Sequence, residues 1–105
     1  MSVRLVSFSG LTDRGRVEVF YNGLWGTICD VQWDIQDATV VCRMLGFRYA
    51  IAAPIGARYG AGFGQVWLSR VACSGSERSL AQCRHGGWGN SNCGHFRDAS
   101  VICGR

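Results

Sequence analysis

Gly15-Arg16-Val17-Glu18-Val19-Phe20-Tyr21-Asn22-Gly23-Leu24-Trp25-Gly26-Thr27-Ile28-Cys29 is the stretch on which the fold turns. Its first half alternates. Val17, Val19 and Tyr21 fall on one face of a strand, and Arg16, Glu18 and Phe20 on the other. Asn22-Gly23 follows, and both residues tolerate the left-handed backbone that a tight hairpin turn requires. Leu24 to Cys29 then returns as the partner strand.

Outward from this hairpin, Val3 to Phe8 reads as a preceding strand and Gly10 to Gly15 as a turn-rich connection. Downstream, Asp34 to Leu45 is the one clear helix. Asp34 suits its N-cap, and Asp37 places a second carboxylate near the positive helix end. Ile35, Ala38, Cys42 and Leu45 form an apolar stripe that Val41 and Met44 widen, so the helix is expected to be largely buried. Gly46 suits the left-handed position that ends it. Phe47 to Gln65 is glycine-rich and reads as irregular. Val66 to Leu68 is a short strand, Ser79 to Cys83 a helical turn, and Ser100 to Cys103 a closing strand. One helix among several antiparallel strands implies an α+β fold, with the helix laid against a curved antiparallel sheet.

The chain has 105 residues, enough for a single domain spanning residues 1–105. With 48% hydrophobic and 17% charged residues it is too apolar for a disordered chain. No apolar run is long enough to cross a membrane, so no direct membrane insertion is expected. Met1-Ser2-Val3-Arg4 opens without an apolar signal core. Six cysteines in so short a chain nevertheless point to an oxidising compartment. The expectation is an excised module of a larger extracellular protein, secreted or the ectodomain of a membrane protein.

Cys29, Cys42, Cys73, Cys83, Cys93 and Cys103 contain no Cys-x-x-Cys pair, which disfavours a zinc ribbon or a thioredoxin-type motif. Spacing alone leaves all fifteen pairings of six cysteines open. Gly60-Ala61-Gly62-Phe63-Gly64 lacks the Gly-Lys-Ser/Thr ending of a phosphate loop. His85 and His95 are the only histidines, and no nucleophile elbow or His-Glu-x-x-His accompanies them. No catalytic site is expected. His95 reads as a structural hydrogen-bonding residue and His85 as an exposed loop residue.

Gly15-Arg16-Val17-Glu18-Val19, Trp25-Gly26-Thr27-Ile28-Cys29-Asp30, Val41-Cys42-Arg43-Met44-Leu45-Gly46, Cys93-Gly94-His95 and Asp98-Ala99-Ser100-Val101-Ile102-Cys103 together resemble a scavenger receptor cysteine-rich domain. The resemblance covers nearly the whole chain, in order. Six cysteines place it with the family's group A. Group B adds a pair near Asp13 and Phe47, and neither is Cys here. The resemblance implies a curved sheet cradling one helix, and the pairings Cys29–Cys93, Cys42–Cys103 and Cys73–Cys83.

Many members of this family bind calcium at an acidic cluster. The usual pattern has two adjacent carboxylates after the second strand's Cys, and a Glu just before the Asp-Ala near the C-terminus. Here Asp30 is followed by Val31, and Arg97 stands in the Glu position. A second acidic pair, after the Trp-Leu of the later strand, is Ser69-Arg70. Calcium needs several hard oxygen ligands with compensating negative charge. No cofactor is therefore expected, with Asp30 and Asp98 the residual oxygen donors of a degraded calcium site at Asp30, Val31 and Arg97. The expectation is that Arg97 approaches Asp30 and an ion pair replaces the metal; the alternative is that Arg97 points to solvent.

Eleven Arg and no Lys set against seven acidic residues give a net charge of +4. The guanidinium fork suits carboxylate, sulfate and phosphate. Arg70 and Arg97 are expected to cluster as a basic ligand-binding surface; Arg58, Arg78 and Arg84 are further candidates, and the sequence leaves open whether the arginines converge. The expected function is a non-enzymatic ligand-binding module of a scavenger-receptor-like or innate-defence protein. Its partners would be an anionic polysaccharide, a microbial surface molecule or a host extracellular protein. No nucleic-acid-recognition motif is present, so sequence-specific nucleic-acid binding is not expected. The alternative is an accessory interaction domain of a secreted protease or amine oxidase. Phe20, Tyr49, Tyr59, Phe63, Trp88 and Phe96 are the aromatic residues that could serve a protein interface, while the segment from Arg16 to Cys29 reads mainly as scaffold.

Overall fold

A computed structural model describes residues 1–8 and 10–105. The hairpin forms as read. β1 (Ser2–Val6), β2 (Arg14–Tyr21) and β3 (Leu24–Ile28) run antiparallel in sequence. Asn22 and Gly23 carry φ of 52° and 81°, which closes the two-residue turn opposite Tyr21↔Leu24. Val17 and Val19 are fully buried, but Tyr21 is not, because the strand end runs out past the core. The opposite face of β2 is also covered. Glu18 is buried there between Arg4 and Arg16, which pair with it.

Helix α1 (Ile35–Met44) begins with a complete capping box. The Asp34 carboxylate accepts the Gln36 and Asp37 backbone N–H groups, and the Asp37 carboxylate accepts that of Asp34 at 2.8 Å. Ala38, Val40, Val41 and Cys42 are buried. Ile35, expected in the stripe, is exposed. Side chains on a helix lean toward its N-terminus, so a first-turn residue projects beyond the layer that covers the later turns.

After α1 come β4 (Tyr49–Ala52), β5 (Val66–Leu68) and β6 (Ser100–Gly104), with short 3₁₀ turns at Leu80–Gln82 and His95–Arg97. β4 lies inside the stretch that the sequence reads as irregular. It presents two half-buried alanines inward, a weak local signal, and forms through pairing with β6. The sheet order is β4-β6-β2-β3-β5, with β1 added to β2. The sheet is antiparallel except that β5 runs parallel to β3.

The core lies between this curled sheet and α1, filled by Val17, Val19, Ile28, Val41, Leu68 and Val101. Three disulfides staple it. Cys42–Cys103 joins α1 to β6, Cys29–Cys93 ties the end of β3 to the C-terminal segment, and Cys73–Cys83 closes a local loop. No helix is long and apolar enough to cross a membrane among the described residues.

Candidate anion-binding site

The end of β3 and the turn before β6 meet side by side. Asp30 donates its backbone N–H to the Arg97 carbonyl at 2.8 Å, and Ala99 donates to Ile28 at 2.8 Å. This pairing sets Asp30 opposite Arg97 and Asp98 opposite Cys29, and both aspartates are buried. Arg97 Nε donates to Asp30 Oδ1 at 3.0 Å, so its guanidinium turns back onto the protein. The other Asp30 oxygen accepts the Gly56 N–H at 2.8 Å. The Asp30 side chain is 5% exposed and that of Arg97 45%, so the pair is half sunk in the surface.

Asp98 is fully buried. It accepts the Gly62 N–H at 2.8 Å and lies 3.0 Å from His95 Nδ1. The other ring nitrogen of His95 meets the Gly64 carbonyl at 2.9 Å. His95 thus hydrogen-bonds the glycine-rich loop to the C-terminal turn. His85 is partly buried rather than exposed. Its Nδ1 accepts the Gly87 N–H, and its ring meets Trp88 edge-on.

Both aspartates spend their oxygens inside the protein. Val31 adds no oxygen ligand, and Arg97 brings a positive charge to the position. These residues do not fit a calcium ion, which needs several open oxygen donors. One other grouping, Cys73, Glu77 and Cys83, lies within metal-ligand range among the described residues. Its two sulfurs are joined in a disulfide, and Glu77 accepts the Ser74 and Gly75 N–H groups. Those hydrogen bonds hold its carboxyl below the ordinary range.

Beside the ion pair lies a surface cavity of about 550 Å³. Val31, Arg70, Asn90, Asn92, Phe96 and Arg97 are among its walls. Arg70 sits at φ 54°, a left-handed conformation that costs a non-glycine residue roughly 1–2 kcal/mol. Such local strain concentrates at functional sites. Its guanidinium has no ion-pair partner among the described residues. Arg97 is partly neutralised by Asp30, so Arg70 carries the uncompensated charge of the cavity. Ser69, Asn90, Ser91 and Asn92 add neutral hydrogen-bonding groups to its lining, with the exposed Asn90 and Asn92 toward the rim.

Arg70 and Arg97 therefore share one cavity. Arg58, Arg78 and Arg84 are exposed, and none of them lines it. Arg84 borders a second depression together with Asp34 and Glu77, whose carboxylates offset its charge. Asn90 and Asn92 belong to no motif in the sequence; the polar run before Cys93 is the signal for them.

Of the aromatic residues, Phe63 and Phe96 are the most exposed, at 89% and 71%. Phe20 and Tyr49 are moderately exposed, while Tyr59 and Trp88 are partly buried. Trp88 stacks on Tyr21 with ring centroids 3.9 Å apart. In the hairpin, Arg4 lies over the Trp25 ring at 4.2 Å, and its guanidinium also pairs with Glu18.

A curled sheet around one helix, tied by three disulfides and bearing an open polar cavity, describes a binding module. Residues 8–104 match the scavenger receptor cysteine-rich domain family, and the chain belongs to it. That family consists of extracellular modules that are not themselves catalytic. The chain is 54% identical over 94 residues to galectin-3-binding protein of Bos taurus, covering 90% of this chain and 17% of that protein. It is 50% identical over 103 residues to lysyl oxidase homolog 3B of Danio rerio, covering 98% of this chain and 13% of that protein. The crystal structure of the dimeric form of the SRCR domain of mouse MARCO superposes with a TM-score of 0.83 at 52% identity, covering 94% of each chain. The chain spans 13–20% of the length of the curated relatives it matches.

Proposed function

We propose that this domain is a ligand-binding module of a larger extracellular protein, and that it takes an anionic ligand at the Arg70–Arg97 cavity without calcium. The observation that carries the reading is the Arg97–Asp30 pair. It puts an internal cation against Asp30, one of the carboxylates that the family's usual calcium pattern would use, while Arg70, which has no ion-pair partner among the described residues, lines the same cavity. The polar rim supplies neutral hydrogen bonds to an anion's remaining oxygens. Polysaccharide sulfates, microbial surface phosphates and protein carboxylates share this chemistry. Arg58 and Arg78 add general positive potential, which speeds encounter with an anion more than it tightens the complex.

The test uses the oxidised domain with dextran sulfate and with poly-L-glutamate, across a salt series, with and without EDTA. Binding to at least one should weaken as salt rises, ignore EDTA, and fall at least fivefold in Arg70→Ala. Loss of binding on chelation, or an Arg70→Ala variant that binds as the parent does, overturns the reading.

A second reading rests on the similarity to lysyl oxidase homolog 3B. As a small part of such a chain, the domain would be an accessory interaction unit whose enzyme lies elsewhere. It predicts binding to a protein and none to either polyanion.

A further inference from the structure

The Arg70–Arg97 cavity has a feature that a simple anion site does not need. Phe96 stands on its wall with 71% of its surface exposed. The ring lies close to the backbone of Gly94. A Cβ added to Gly94 would come within 2.6 Å of it, so the ring lies down over the bare glycine backbone. Phe63, still more exposed, is one residue from Gly64, whose carbonyl meets His95, and His95 precedes Phe96.

Cation count points the same way. Affinity for a polysaccharide chain of repeating charge comes from many cations acting together. This cavity holds one unpaired arginine and one that Asp30 already neutralises in part. Arginine and aromatic side chains, Phe among them, are enriched at protein–protein interfaces relative to the rest of a protein surface.

We infer that the partner of this cavity is a protein surface presenting an aspartate or glutamate side chain beside an apolar one. This rests on the anionic reading above and narrows it to one class of ligand. The partner's carboxylate meets Arg70 and the asparagine rim, and its apolar side chain covers Phe96.

The test pans a disulfide-constrained random peptide library on the oxidised domain and measures the enriched peptides against a heparin decasaccharide. Enriched sequences should pair Asp or Glu with an adjacent apolar residue. Their Kd should rise at least tenfold in Arg70→Ala and in Phe96→Ser. Phe96 is exposed, so the fold survives its substitution, and an unchanged Tm verifies this. Gly94→Ala, which displaces the ring without removing it, should weaken the peptides as well. Peptides that bind Phe96→Ser as tightly as the parent overturn the inference. So does heparin that binds the parent and Phe96→Ser alike while no acidic consensus emerges, although the anionic reading then stands. Enrichment of basic or uncharged peptides, or no binding of any probe, overturns both.

Discussion

Replacing Arg97 by Ala is the sharpest probe of this architecture. Its Nε lies 3.0 Å from an Asp30 carboxylate that is 5% exposed. Opposite charges about 4 Å apart at an effective dielectric near 20 attract by about 4 kcal/mol. Burial of Asp30 offsets part of that, and water at the half-exposed Arg97 screens more. Exposed pairs contribute about 0–1 kcal/mol, while breaking a buried pair costs about 3–5 kcal/mol. A pair sunk halfway should cost about 2 kcal/mol when Arg97 is removed. For a domain of about 100 residues that lowers Tm by roughly 8–16 °C.

Asp30→Ala should cost more than Arg97→Ala, because it also releases the Gly56 N–H, and that amide should exchange faster with solvent. The double variant closes a cycle whose coupling should be about 1–2 kcal/mol. The assay is thermal and urea unfolding followed by circular dichroism, with the disulfides intact. A coupling near zero, with Arg97→Ala within about 0.5 kcal/mol of the parent, refutes the argument.

Three further outcomes are expected. Asp37 is buried, and burial pushes its carboxyl up to about 7, although the Cys73 and Asp34 N–H groups pull the other way. A carboxyl raised above its unfolded value of 3.8 contributes stability below that value and loses it as pH rises through about 7. Urea midpoints of the parent should therefore carry a declining component across this window that Asp37→Asn removes. Gly26→Ala should destabilise by about 1–3 kcal/mol, since its Cβ would press on the Trp67 ring and lie 2.9 Å from the Gln65 carbonyl; an unchanged denaturation midpoint would contradict the packing. Val31 and Arg97 line the same cavity beside Asp30, so a Val31→Asp/Arg97→Glu variant should gain several degrees of Tm in millimolar calcium, with no such gain in the parent.

Much of this molecule follows from local sequence. Asn22-Gly23 closes the hairpin because both residues accept positive φ, and Asp34 starts the helix because its carboxylate reaches the first free N–H groups. These are contacts within four residues, and local chemistry suffices for them. Arg70 and Arg97 stand out in the sequence too, since they occupy positions where the family's pattern has carboxylates. The sequence left open whether Arg97 turns inward to Asp30 or outward to water.

What tertiary structure decided is everything whose partner is distant in the chain. β4 has two small inward alanines and exists through β6, fifty residues away in register. The parallel β3–β5 pair rests on Gln65–Leu68 meeting Thr27–Cys29 across the chain. Arg97 turns onto Asp30, 67 residues earlier, because the backbone pairing there leaves the guanidinium within reach of a buried carboxylate. Of the five candidate arginines, whose convergence the sequence leaves open, Arg70 and Arg97 share a cavity, because loops that no periodicity describes place them. Residue types and their short-range order thus determined the elements, the cap and the chemistry available. Which of those side chains face one another was set by long-range pairing and burial, because the free energy of a contact depends on where the fold brings its partner.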